Sequence, residues 1–245
     1  MPGSPGVQFV PTCLAGELRP EVAEAAVTVL RALGFTVQLP RAVLCCGQPA
    51  LNTGFRPEAR RVALHDAREL GRTDGPIVLP SGSCAHTLTH GWRELARSDT
   101  ERGQFAAIAA RTRELTAFVV ERGGLAHLRM RGIGRVAYHP SCHLLRGLGV
   151  DAAPRAVLAA IAGIELVELP DADECCGFGG SFSVDREPIS AAMLQRKMDA
   201  VEASGADLLT SCDLGCLLHI EGGLRRRGSS VRVVHIAQLM AESLQ

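Results

Sequence analysis

Lysine is almost missing from this chain: Lys197 is the only one among 26 basic residues, and arginine supplies the rest. Aromatic residues are scarce as well, at 4% against 47% hydrophobic residues overall. The core must therefore be built from Val, Leu, Ile and Ala, which suits an α/β protein. Net charge is absent too, with 26 basic and 26 acidic residues and neither a basic stripe nor an acidic tail. That balance speaks against a nucleic-acid or anionic-membrane surface. The arginine bias alone would suit phosphate recognition, but a biased genomic base composition is the simpler source. No apolar run approaches the length of a spanning helix. Met1-Pro2-Gly3-Ser4-Pro5-Gly6 has neither the basic start nor the apolar stretch of a secretory signal. A soluble, cytoplasmic protein that does not insert into a membrane is expected. Also missing are a dinucleotide fingerprint, a phosphate-binding loop and a compact ferredoxin run of cysteines. Any flavin or longer chain of clusters must then sit on another polypeptide.

Cysteine is what the chain does have. Leu44-Cys45-Cys46-Gly47-Gln48-Pro49 returns as Glu174-Cys175-Cys176-Gly177-Phe178-Gly179. A single cysteine precedes each pair, Cys13 in one half and Cys142 in the other, and another follows, Cys84 and Cys216. Eight of the nine cysteines thus form two quartets in register, and Cys212 alone stands outside. In a reducing compartment such clusters serve as metal ligands or catalysts more readily than as disulfides, and the odd count weakens a pure disulfide reading.

The chain of 245 residues holds one large domain or two of about 120 residues. Strands are expected at 7–11, 35–39 and 76–79, then at 136–139, 165–169, 207–210 and 231–234. Helices are expected at 20–33, 57–70, 86–96 and 104–121, then at 154–161, 188–203 and from Ile236 onward. The alternation predicts parallel sheets flanked by helices. The repeat predicts two tandemly duplicated, pseudo-symmetric units, 1–124 and 125–245, each a cysteine-rich unit. Every quartet cysteine falls after a predicted strand, on the edge where open α/β sheets bind ligands.

Adjacent side chains on a strand face opposite ways, so Cys45 and Cys46 can share one site only if the chain turns sharply. Gly47 permits that turn, as Gly177 does for Cys175 and Cys176. Four converging thiolates suit an iron–sulfur cluster or a Cys₄ zinc site. Structural zinc commonly uses short Cys-x-x-Cys knuckles, absent from both quartets, which favours iron and sulfide. Redox-cycling thiols are a third reading, weakened by the missing thioredoxin-type pair.

These stretches resemble a known family. The match is carried by Cys45-Cys46-Gly47-Gln48-Pro49-Ala50, Pro80-Ser81-Gly82-Ser83-Cys84, Tyr138-His139-Pro140-Ser141-Cys142-His143, Glu174-Cys175-Cys176-Gly177-Phe178-Gly179-Gly180 and Asp213-Leu214-Gly215-Cys216-Leu217. It resembles the cysteine-rich (CCG) domain family that includes the cysteine-rich component of heterodisulfide reductase, the glycolate oxidase iron–sulfur subunit and, nearest in wording, lactate utilization protein A. The resemblance implies a cytoplasmic subunit of a complex that oxidises L-lactate to pyruvate, working beside a ferredoxin-type iron–sulfur protein and a third small subunit. It also implies [4Fe–4S] clusters, up to two per chain, on Cys13, Cys45, Cys46 and Cys84 and on Cys142, Cys175, Cys176 and Cys216. The heterodisulfide reductase motif has a fifth cysteine where this chain has Ser81 and Asp213, so a cubane is the simpler expectation than a noncubane cluster. Alternatives are a non-catalytic electron carrier or scaffold for another 2-hydroxy acid such as glycolate, and a zinc-stabilised binding protein.

Other residues are weighed against blander roles. His139 and His143 flank Cys142 without histidine counterparts near Cys13, which makes the second site the candidate for proton chemistry on a small 2-hydroxy acid. The plainer reading is that both support the loop. Arg146 and Arg155 are candidates for a substrate carboxylate, although surface arginines are commoner. Ser81, Ser83, Ser141 and Ser181 read as donors to cluster sulfur or as helix caps. His86 and His90, one turn apart, read as an ordinary helix face.

Overall fold

Among the described residues every pairing between two strands is parallel, in two separate four-stranded sheets. The computed structural model describes residues 5–43 and 45–245; residues 1–4 and Leu44, which opens the first Leu-Cys-Cys-Gly stretch, lie outside them. The chain divides into two units, Met1–Phe118 and Val119–Gln245.

The first unit holds β1 (Gly6–Phe9), β2 (Thr36–Gln38), β3 (Ile77–Leu79) and β4 (Thr112–Glu114), in the order β2-β1-β3-β4. Val7 pairs with Val37, Phe9 with Val78 and Ile77 with Thr112. Its helices are α1 (Cys13–Glu17), α2 (Pro20–Ala32), α3 (Gln48–Asn52), α4 (Arg56–Leu70), α5 (Gly82–His86), α6 (Trp92–Leu95) and α7 (Asp99–Arg111), and α8 (Leu115–Glu121) runs across the boundary between the units. Pro20 opens α2 where its missing N–H costs nothing, and Val22, Ala26, Val29 and Leu30 form its buried stripe. The inner face of α4 is Ala59, Ala63, Ala67 and Leu70; three alanines let this helix lie close under the loop that carries Cys45 and Cys46.

The second unit holds β5 (Met130–Tyr138), β6 (Ile161–Val167), β7 (Leu208–Ser211) and β8 (Arg232–His235), in the order β6-β5-β7-β8. Its helices are α9 (Ala152–Ala159), α10 (Phe182–Asp185), α11 (Glu187–Ala203), α12 (Leu214–Arg227) and α13 (Ile236–Ser243). Ala137, Leu194, Met198, Val201, Leu209, Ile220 and Leu224 make its core. The two strand orders are the same, so the expected pair of parallel α/β units is observed. In each, the order reverses beside the first strand, and the carboxyl ends of β1 and β3, or of β5 and β7, flank that switch point.

Some elements differ from expectation. The helix expected over 104–121 is broken: α7 ends at Arg111, β4 occupies Thr112–Glu114, and α8 follows. Thr112 and Glu114 are buried against β3, so sheet pairing overrides local helix preference. Ile161, expected to end a helix, begins β6. The long helix α12 was not expected at all. Among the described residues no helix is long and apolar enough to cross a membrane.

Candidate metal centre

Each cysteine quartet is assembled inside one unit, from loops that leave consecutive strands. Cys13 begins α1 just after β1, Cys45 and Cys46 follow β2, and Cys84 lies in α5 after β3. In the second unit Cys142 follows β5, Cys175 and Cys176 follow β6, and Cys216 lies in the first turn of α12 after β7. Cys45 is in hydrogen-bonding contact with Cys13 and Cys46, and Cys46 with Cys84. The same chain of contacts runs from Cys142 to Cys175, Cys176 and Cys216. None of these thiols is in a disulfide. Cys212, outside both quartets, is fully buried at the end of β7.

The Cys-Cys-Gly turn works as the sequence requires. Gly47 has φ +83° and Gly177 φ +88°, backbone that favours glycine. The turn aims each glycine N–H at the first cysteine of its pair, 3.4 Å from Cys45 Sγ and 3.4 Å from Cys175 Sγ. In the first unit the indole of buried Trp92 donates to the Cys46 carbonyl at 2.8 Å and pins the loop. The Ser81 hydroxyl accepts from the Cys84 N–H at 3.2 Å, so Ser81 is the helix cap that places Cys84 in the first turn. Asp213, at the matching position, accepts from the Ser141 hydroxyl and ties the Cys142 and Cys216 loops together.

These contacts set the charge of each quartet. Cys45 is lowered because Cys13, then Cys46, donate to its sulfur. Cys13 and Cys46 are raised by the same bonds and by burial. Cys175 is lowered by Cys142 and Cys176, which are themselves raised. Cys45 and Cys175 thus ionise more readily than the cysteines that donate to them, and a metal must displace the protons of Cys13, Cys46, Cys142 and Cys176. The donor set, soft sulfur held together without disulfides, fits iron–sulfur or zinc ligation.

One buried charge beside each quartet differs in sign between the units. A Cβ on Gly47 would meet the Ala59 carbonyl of α4, and one on Gly177 the Ser190 carbonyl of α11; that contact sets the helix register. In this register Asp66 corresponds to Lys197, and both are 1% exposed. Asp66 interacts with Cys45 through the backbone and with the His65 imidazole at 2.9 Å. Lys197 donates to the carbonyls of Asp171 and Ala172 at 2.9 and 3.2 Å, beside Cys175 and Cys176.

Burial, against the lowering by His65, pushes the Asp66 carboxyl up to about 6. The folded chain therefore holds that proton more tightly than the unfolded one. This stability is fully present below about pH 4 and lost as pH rises through about 6. For the metal-free chain, the stability difference between Asp66→Asn and wild type should move in the variant's favour by roughly 2–3 kcal/mol between pH 4 and pH 7. Urea unfolding across that range checks it; a difference that stays constant with pH contradicts it.

His139 lies at the end of β5, 1% exposed. A ring nitrogen of His139 and the sulfurs of Cys176 and Cys216 all lie within 4.8 Å of one another, the only such group of three among the described residues. Burial, then Lys197, push its pKa down to about 3, so its imidazole is neutral at pH 7. His143 is half-buried, its Nδ1 3.7 Å from Cys142 Sγ. Arg146 bonds the Asp173 carbonyl at 2.6 Å. Arg155 is committed to Asp151 at 2.9 Å and Glu168 at 2.7 Å, so it serves local ion pairs. His86 and His90 stack on each other at 4.9 Å. Sequence reasoning missed Asp66, Lys197 and Trp92 as neighbours of the cysteines. The signal available was a lone lysine and a lone tryptophan in an otherwise Arg-rich, aromatic-poor chain.

Comparison with known proteins agrees with this geometry. The family model described as "Cysteine-rich domain" (CCG) matches residues 7–89 and again 136–221, one match per unit. The chain is 36% identical over 234 residues to "Lactate utilization protein A 2" of Bacillus cereus (strain Q1), covering 95% of this chain and 96% of that one. It is 40% identical over 230 residues to "Lactate utilization protein A" of Anoxybacillus flavithermus (strain DSM 21510 / WK1), covering 94% and 96%. Among solved structures it is similar to an aspartate racemase homologue from Pyrococcus horikoshii OT3, at 11% identity over 97% of this chain and 96% of that one, with a TM-score of 0.37, too loose a likeness to bear on function. With two matched cysteine-rich domains and relatives aligned over nearly their whole length, the chain belongs to the lactate utilization protein A family of cysteine-rich (CCG) domain proteins.

Proposed function

We propose that the chain is the iron–sulfur subunit of a cytoplasmic system that oxidises L-lactate to pyruvate. Each quartet would hold one cluster, of the [4Fe–4S] type, and the subunit would work beside a ferredoxin-type iron–sulfur protein and a third small subunit. One observation carries this reading: two thiol quartets, the cysteines within each already in contact, in a chain that aligns with lactate utilization proteins A over 94–95% of its length. When bound, such a cluster supplies one-electron transfer.

The chain's own residues divide the remaining work. Cys46, Cys84 and Cys176 are buried and wall off water. Cys13, Cys45, Cys142, Cys175 and Cys216 are half-buried, which leaves one side of each quartet near the surface for electron exchange with a partner. The N–H groups of Gly47 and Gly177 point at Cys45 and Cys175 sulfur and stabilise negative charge there. Of the two histidines, half-buried His143 is better placed than enclosed His139 to exchange a proton with a 2-hydroxy acid.

Deleting the gene, in a host without a second lactate oxidase, is expected to abolish growth on L-lactate alone. Wild type should restore it, and His143→Ala should restore it poorly. Unaltered growth of the deletion strain would sink the reading.

A further inference from the structure

The two units repeat each other closely, yet one buried side chain breaks the repeat beside the second quartet. His139 stands three residues before Cys142, where the first unit has Val10 three residues before Cys13. Val10 is buried and apolar and cannot bind a metal. The backbone of His139 is fixed: its N–H donates to the Thr210 carbonyl at 2.8 Å, and its carbonyl accepts from the Ser211 hydroxyl at 2.8 Å. Its side chain has no such anchor. Neither Nδ1 nor Nε2 has a hydrogen-bond partner, although both are buried.

An enclosed imidazole is ordinarily hydrogen-bonded, because each unsatisfied polar group costs about 1–3 kcal/mol. Here the sulfurs of Cys176 and Cys216 lie within 4.8 Å of a ring nitrogen and of each other. The charged and titratable groups acting on it are Lys197 and Cys175, together with the thiols of Cys176 and Cys216. Imidazole beside two thiolates is a donor set for iron or zinc.

We propose that His139 is a metal ligand, giving the second unit a mixed imidazole–thiolate site with Cys176 and Cys216 where the first unit has thiolates alone. The two sites of one chain then differ in chemistry: the second takes a borderline metal, iron or zinc, through nitrogen as well as sulfur. This rests on the reading that the quartets hold metal, and the test separates the two.

The experiment uses the full chain carrying Cys46→Ala, which disables the first site, purified without oxygen. Its metal content is measured, and X-ray absorption is recorded at the edge of whichever metal is found. The expected result is a nitrogen shell near 2.0–2.1 Å, roughly, beside sulfur near 2.3 Å, roughly. Adding His139→Val, the first unit's residue, should remove the nitrogen shell and leave the sulfur shell of the quartet in place. Adding His139→Cys should likewise give an all-sulfur shell. Metal present with sulfur ligands only, before any change at residue 139, overturns this proposal and leaves the function reading standing. No metal in the second site overturns both.

Discussion

Gly177→Ala is expected to destabilise the protein by about 3 kcal/mol or more, and Gly47→Ala by only about 1–2 kcal/mol. Both glycines have positive φ, +88° and +83°, and any side chain there bears a backbone penalty of about 1–2 kcal/mol. They differ in what a Cβ would meet. At Gly177 it would lie 2.6 Å from the Ser190 carbonyl oxygen and 3.0 Å from Met193 Cβ, both on α11. At Gly47 the nearest atom is the Ala59 carbonyl oxygen at 3.4 Å, ordinary contact. Helix α11 cannot easily retreat, because the Ser190 hydroxyl donates to the Gly177 carbonyl at 2.8 Å and the helix packs on α12. Thermal unfolding of both variants checks this. Equal losses would mean that the close approach of α11 to the Cys-Cys-Gly turn is wrong.

That comparison also shows where sequence reasoning reaches its limit. The positive-φ turn was legible, because two adjacent cysteines serving one site require a reversal and only glycine makes it cheaply. The tightness of the second turn was not, because it depends on how closely a helix from elsewhere in the chain approaches. Strand β4 was hidden for a related reason. Its three residues, Thr112–Glu114, interrupt an Ala-rich stretch with helical spacing, and only burial beside β3 marks them. The repeat itself held the clue, since the matching strand near 231–234 was legible. Helix α12 was masked by Gly215, Gly222 and Gly223, which weaken a helical pattern. In the fold Gly223 is a close-packing position: a Cβ there would lie 2.4 Å from Met198 Sδ of α11. The cysteines were legible throughout because their chemistry is in their identity. The opposed charges of Asp66 and Lys197 were not, because their equivalence appears only once both helices are registered against the glycine turns. His139 stood out in the sequence as a histidine without a counterpart; its lack of hydrogen bonds needed the fold.

Cys176→Ala is expected to empty the second site and leave the first one loaded, so that metal per chain falls to about half. Cys176 is the middle of its quartet, 2% exposed, in contact with Cys175 and Cys216 and within reach of His139. Changing a residue outside the ligand shell commonly weakens metal binding by about 10–100-fold, and losing a ligand costs more. Because the quartets share no residue, Cys46→Ala should give the mirror result, and the double variant none. Full metal content in either single variant would contradict the assignment of four thiols to each site.

The reference for those variants is also the most direct test of the account: iron, acid-labile sulfide and zinc per wild-type chain, purified without oxygen, with an EPR spectrum after reduction. Two four-iron clusters predict iron and sulfide at about eight each. Zinc without sulfide would contradict the electron-transfer role and leave two structural metal sites in its place.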